Sequence, residues 1–265
     1  MYHPKRTLTK LFLSALLLTA AFAVTTCTHP PGGRIPRSPE CVYVPDPPEN
    51  PPEDPFVADQ DDDGLNEQQR LDFIRRGVAA TIQIRSRRYS AKNGYSFHSG
   101  SGVFIDDSHV LTAEHVVRDT VDRYAILRRL VSGGLNIGYL RTERITIVAT
   151  NAEHDVALLR VHSPPEMAYP LPTARNWTPQ HDELLWQFGV RTGWSRGRVV
   201  RQVPDNLPVS THGLVEMRIL GQAGDSGGPV LNVRGEIVGL VLRGNTEAGR
   251  QFFVPIDTAL QAVGR

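Results

Sequence analysis

From Val78 onward the chain takes up a period of two. Val78, Ala80, Ile82 and Ile84 alternate with polar or small residues, the pattern of a strand that buries one face. Asn93-Gly94 follows, a pair suited to the tight turn of a hairpin because both residues tolerate positive φ. Short apolar runs then recur at 102–105, 109–112, 124–130, 144–149 and 156–161. They resume at 184–190, 198–203, 214–219, 229–232, 236–242 and 251–254. Between the two series, residues 163–179 carry several prolines and read as a crossover. Residues 257–263 suit a short closing helix. Many short strands punctuated by turn signals predict an all-β barrel or sandwich.

One turn in this series is costly to build. Gly224-Asp225-Ser226-Gly227-Gly228-Pro229 places a serine between an acidic residue and glycines, just before Val230 and Leu231. Glycines lose conformational entropy on folding and add no packing. They fit where a backbone must come close to a reacting group and aim N–H donors at it. A serine hydroxyl is a weak nucleophile at neutral pH, so it needs a base within hydrogen-bond reach and a group that orients the base. His115 is the candidate base: it follows an apolar run, Val110-Leu111-Thr112-Ala113, at what reads as a strand end turning into a cleft. Asp155 is the candidate orienter, set directly before the apolar run 156–159.

These segments resemble the chymotrypsin-like, trypsin-fold serine proteases, in the order histidine, aspartate, serine. The matching runs are Thr112-Ala113-Glu114-His115, Asp155-Val156-Ala157-Leu158-Leu159 and the Ser226 turn. A fourth, Gly100-Ser101-Gly102-Val103-Phe104-Ile105, looks like the strand before the histidine in the bacterial HtrA-like and glutamyl-endopeptidase-like branches. The resemblance covers about residues 77–257. It implies two six-stranded antiparallel β-barrels with the active site in the cleft between them. His115 and Asp155 fall in the first barrel and Ser226 in the second. By the resemblance, Ser226 attacks the carbonyl, His115 moves the proton and Asp155 holds the imidazole. The N–H groups of Gly224 and Ser226 form the oxyanion hole. The specificity pocket falls to Leu220, Leu242 and Gly244, with the strand 238–244 beside the substrate backbone. An apolar base at Leu220 implies cleavage after small or medium apolar residues, because a buried P1 charge would lack a partner. In such zymogens the carboxylate equivalent to Asp225 pairs with a new N-terminus. Here cleavage after Arg76 would expose Gly77, too close to the first strand to reach back, so no such switch is expected.

The resemblance implies polypeptide substrates and no cofactor. The formal net charge of +1 gives no argument for nucleic acid. His98, His109, His154, His162, His181 and His212 lack the paired spacing of metal ligands, so no metal is expected. The cluster Arg85-Ser86-Arg87-Arg88 reads as an exposed strand end.

The segment before residue 77 reads as export and tether. Residues 1–26 have a basic start, an apolar run over 11–23 and Ala21-Phe22-Ala23, the pattern of a signal peptide cut near 23 or 26. Val24-Thr25-Thr26-Cys27 loosely resembles a lipobox, which makes a lipid anchor at Cys27 the only expected membrane contact. Cys27 and Cys41 are the two cysteines, and both precede the expected catalytic region. Residues 27–63 form a proline-rich and then acidic linker, too rich in proline to build a core. Asp59-Gln60-Asp61-Asp62-Asp63-Gly64 resembles the start of a calcium loop, but the twelfth position is Arg70 where a glutamate is needed. A helix is expected over 64–76 and the protease domain over 77–265. The predicted location is the periplasm, the cell envelope or outside the cell. The chain ends soon after its last strand, which points to a branch without a PDZ domain. The alternative function is a catalytically silent or regulatory binding module on the same fold.

Overall fold

A computed structural model describes residues 63–130, 137–162, 169–203, 213–245 and 248–265. The signal segment, Cys27, Cys41, the proline-rich linker, Asp59 to Asp62 and His212 lie outside them. Twelve strands form two closed six-stranded antiparallel barrels. The first has the order β1(Thr81–Ser90), β2(Gly94–Phe104), β3(His109–Ala113), β6(Val156–Val161), β5(Ile137–Asn151), β4(Thr120–Leu130). The second has the order β10(Pro229–Leu231), β11(Ile237–Asn245), β12(Arg250–Pro255), β9(Val215–Arg218), β8(Gly193–Gln202), β7(Leu184–Gly189). Closure leaves no open sheet edge in either barrel. The closing helix α3 spans Ile256–Ala262.

Each barrel has its own apolar filling. Ile84, Val103, Leu111, Ala157 and Leu159 are fully buried in the first. Leu185, Val215, Met217, Val230 and Val238 form a separate buried cluster in the second. A larger cluster joins the first barrel to the second through residues such as Phe188, Leu231 and Leu240. The expected strands all appear, with shifted ends. Asn93-Gly94 closes the β1–β2 hairpin, where Ser90 faces Gly94.

Two readings change. The alternation from Val78 does not begin a strand there: helix α1 spans Glu67–Ala80, and β1 starts at Thr81. Asn66 and Gln69 cap that helix reciprocally, each side chain accepting from the other's backbone N–H. Such a capping box fixes the helix start, and Ile74, Gly77 and Val78 bury one face at helical spacing. Val78 and Ala80 therefore satisfy both periods, and packing against the barrels decides for the helix. Second, Arg85 to Arg88 are not an exposed strand end. They lie within β1, where Arg87 pairs with Asp122 and Arg88 donates to the carbonyl of His115.

Helix α1 crosses onto the second barrel. Phe73 packs on Trp186 and Phe188, with ring centroids 5.1 and 6.0 Å apart. Asp63, its side chain fully buried, bonds Arg70 at 2.8 Å and Arg196 of β8 at 3.4 Å. Arg70, the residue that breaks the calcium-loop pattern, thus neutralises the last carboxylate of the acidic run. Its hydrogen bond holds the Asp63 carboxyl below the usual range, against the upward push of burial.

Candidate active site

His115 stands in α2, a single turn over Glu114–Val117 at the end of β3. Asp155 precedes β6 in the left-handed region, with φ 52°, a conformation aspartate tolerates better than most residues. Strands β3 and β6 are paired, Ala113 facing Val156, so the residues just beyond their ends meet. The Asp155 carbonyl accepts from the N–H of Glu114 at 3.0 Å. One carboxylate oxygen accepts from the His115 backbone N–H at 2.8 Å, and the other lies 2.7 Å from His115 Nδ1. A carboxylate can only accept, so the proton of a neutral imidazole sits on Nδ1 and Nε2 is left as the base. Both side chains remain partly accessible, 40% for His115 and 21% for Asp155.

Ser226 belongs to the other barrel, in the turn before β10. Gly224 has φ 109° and Gly227 φ 86°, values that L side chains rarely adopt. At Gly227 space is equally restrictive, since an ideal Cβ would lie 2.8 Å from the backbone nitrogen of Ala113. The turn therefore presses on the end of β3, next to His115. The Ser226 hydroxyl donates to the Leu242 carbonyl at 2.9 Å. Among the described residues no hydrogen bond joins it to His115. The N–H groups of Gly224 and Ser226 have no acceptor among the described residues.

Two residues outside the expected site hold this turn. Asp225 is buried, and its carboxylate accepts from the N–H groups of Arg191 at 3.0 Å, Thr192 at 3.1 Å and Gln222 at 2.8 Å. The Thr192 hydroxyl donates to it as well. Burial of this carboxylate is thus matched by hydrogen bonds from the β7–β8 turn. Ser101 of β2 spans the two barrels. Its N–H donates to the Ser226 carbonyl at 2.8 Å, and its hydroxyl donates to the Gly224 carbonyl at 2.8 Å while accepting from the Val190 N–H at 3.0 Å. The only sequence signal for Ser101 was its place in the Gly100 to Ile105 run.

The expected pocket residues divide. Leu220 is half-buried and its carbonyl accepts from the Ser195 hydroxyl at 2.8 Å. Leu242 is buried and presents its carbonyl to Ser226. Gly244 faces Gln251 across the β11–β12 pair. Gln251 is only 4% exposed and was not foreseen.

Other polar sites have local explanations. His109 pairs with Asp106 at 2.8 Å. Burial, then the nearby Arg88 charge, pushes His98 down. Among the described residues no three acidic, histidine or cysteine side chains group as metal ligands.

Known proteins give the same picture. The model of the trypsin-like peptidase domain matches residues 100–240. A probable periplasmic serine endoprotease DegP-like of Ectopseudomonas mendocina (strain ymp) is 31% identical over 178 residues, 61% of this chain and 34% of that protein. One of Pseudomonas putida (strain F1) is 30% identical over 175 residues, 61% of this chain and 33% of its own length. This chain therefore spans about a third of the length of these curated relatives. Among solved structures, the active form of the Rv3671c protease from M. tuberculosis superposes with a TM-score of 0.57 at 21% identity, covering 72% of this chain and 84% of that one. The HtrA-type protease AlgW with a tripeptide superposes with a TM-score of 0.59 at 16% identity, covering 72% and 61%. These two likenesses speak to the fold, and the match over 100–240 to the family: the chain belongs to the trypsin-like peptidase domain family.

Proposed function

We propose that this chain is an exported serine endopeptidase that cleaves polypeptides through an acyl-enzyme on Ser226. The observation that carries the reading is the His115–Asp155 pair, bonded twice at the end of β3 where the Ser226 turn packs. His115 Nε2 takes the serine proton as Oγ attacks and returns it to the leaving amine. Asp155 fixes the tautomer and stabilises the imidazolium. The N–H groups of Gly224 and Ser226, without an acceptor among the described residues, supply donors for the oxyanion, a contribution of about 100-fold or more per donor. Attack requires the Ser226 hydroxyl to leave the Leu242 carbonyl and turn to His115. Hydrogen bonds of this kind are often unmade before substrate arrives.

No new N-terminus is needed. Neutral donors already surround Asp225, and Gly77 is buried inside α1. The names of the relatives support a periplasmic location, with residues 1–26 as signal peptide, 27–63 as linker and the protease domain over 77–265. A lipid on Cys27 is the membrane contact this reading allows.

The bond from Ser226 to Leu242 favours a second reading, a silent binding module on a protease fold. A fluorophosphonate probe separates the two. Covalent labelling of the wild type, lost in Ser226→Ala, supports the peptidase. A folded wild type that does not label supports the binding module.

A further inference from the structure

The slot beside the Ser226 turn is bounded by two glycines. Gly221 lies five residues before Ser226, in the segment leading to the turn. Gly244 lies two residues after Leu242, whose carbonyl takes the Ser226 hydroxyl. One side chain occupies the space that both glycines leave open. A Cβ on Gly244 would collide with all three terminal atoms of Gln251, and a Cβ on Gly221 would lie 2.6 Å from Gln251 Nε2. The register of β11 and β12 sets Gln251 opposite Gly244, so the strand pairing aims this side chain across the slot.

Gln251 is 4% exposed as a residue, its carboxamide atoms are not sealed off from solvent as Gln187 Oε1 is, and no described residue hydrogen-bonds them. A second carboxamide lies behind it: Gln187 Nε2 is 2.9 Å from the same ideal Cβ position at Gly221, and Gln187 Oε1 is buried without a partner. Buried amide groups are normally paired, and an unpaired one is costly. A carboxamide offers both N–H donors and a C=O acceptor. It can therefore pair with a hydroxyl or an amide, but it cannot neutralise a charge. It also takes up the space beside Gly244 that a longer P1 side chain would need.

Resting on the reading of Ser226 as the nucleophile, we infer that Gln251 determines P1 specificity, selecting a short, uncharged side chain that hydrogen-bonds: threonine, serine or asparagine. This replaces the apolar preference drawn from Leu220 alone. An aliphatic P1 would cover the carboxamide without pairing it, whereas a hydroxyl would pair it. Sites built to hydrogen-bond a substrate group discriminate more sharply against its absence than apolar pockets do against an added methylene.

The test uses two peptides identical except for threonine or valine at P1, side chains of nearly equal shape. The wild-type full chain is expected to favour threonine by about tenfold or more in kcat/KM. In Gln251→Leu that ratio should fall to about one or invert. A wild type that cleaves the valine peptide as well or better overturns the inference, and that result does not depend on the variant folding. A ratio preserved in folded Gln251→Leu also overturns it. Fluorophosphonate labelling of Ser226 is measured in parallel. Labelling together with the wrong ratio removes the inference about Gln251 and leaves the peptidase standing, while absence of labelling removes both.

Discussion

The first barrel presents His115 and Asp155 already joined to each other, whereas the second presents Ser226 joined to its own wall. Asp155 uses both carboxylate oxygens on His115. Ser226 gives its hydroxyl to Leu242, sixteen residues further along the same barrel. The contrast follows from the local structure. His115 and Asp155 extend from two paired strands, so sheet pairing alone brings them together. Ser226 sits on a glycine-rich turn whose shape depends on Asp225 reaching out of it and Ser101 of β2 reaching in. The first half of the site is therefore a property of one barrel, and the second half is a property of the seam.

Variants can test that division. Asp155→Asn attacks the self-sufficient half: the amide can turn an N–H toward Nδ1 and impose the wrong tautomer. Steady-state assay should show kcat reduced by about 10⁴-fold, with an unchanged far-UV circular dichroism spectrum. A loss below about tenfold would mean that the pair is structural. Asp225→Asn attacks the supported half. An amide cannot accept from all the donors that now converge on the carboxylate, so the turn should loosen. Turnover should fall by about 100-fold, and denaturant unfolding should show a loss of about 2 kcal/mol. If both variants behaved alike in stability, the distinction between the halves would be wrong.

Ser101→Ala acts on the seam itself. It leaves the part-buried Gly224 carbonyl and the buried Val190 N–H without the hydroxyl, for a cost of about 1–3 kcal/mol. Activity should decline by about tenfold, with most of the change in kcat, because the donors rather than the binding surface are displaced. The smallest effect is at the helix end. Arg70→Gln should lower stability by about 1 kcal/mol at neutral pH. Because Arg70 holds the Asp63 carboxyl below its usual range, that contribution is present above about pH 4 and fades as pH falls through the folded value. Thermal midpoints of the two proteins should therefore converge in acid.

Much of the strand order was legible, because alternation and turn residues are local properties. The site was legible in part for the same reason: His115, Asp155 and Ser226 each stand at the border of an apolar run. What was not legible depends on pairing between distant segments. Val78 and Ala80 fit a strand and a helix equally well, and contact with Phe188 across Gly77 settles the matter. Ser101 reads as one more small residue until β2 lies against the Ser226 turn. Leu220 implies an apolar pocket base through the resemblance alone, six residues before Ser226. Gln251, twenty-five residues beyond Ser226, comes to face Gly244 only once β11 and β12 are in register.

Helix α1 begins on one barrel and passes directly into the first strand of the other. Phe73 is seated against Trp186 and Phe188, and seven residues after it the chain is leaving the helix for β1. Because α1 is continuous with the first barrel and only packed on the second, it acts as a clasp: its apolar contacts must open before the barrels can part. A cut within α1 would loosen that clasp while leaving both barrels whole and still joined by the chain from β6 to β7.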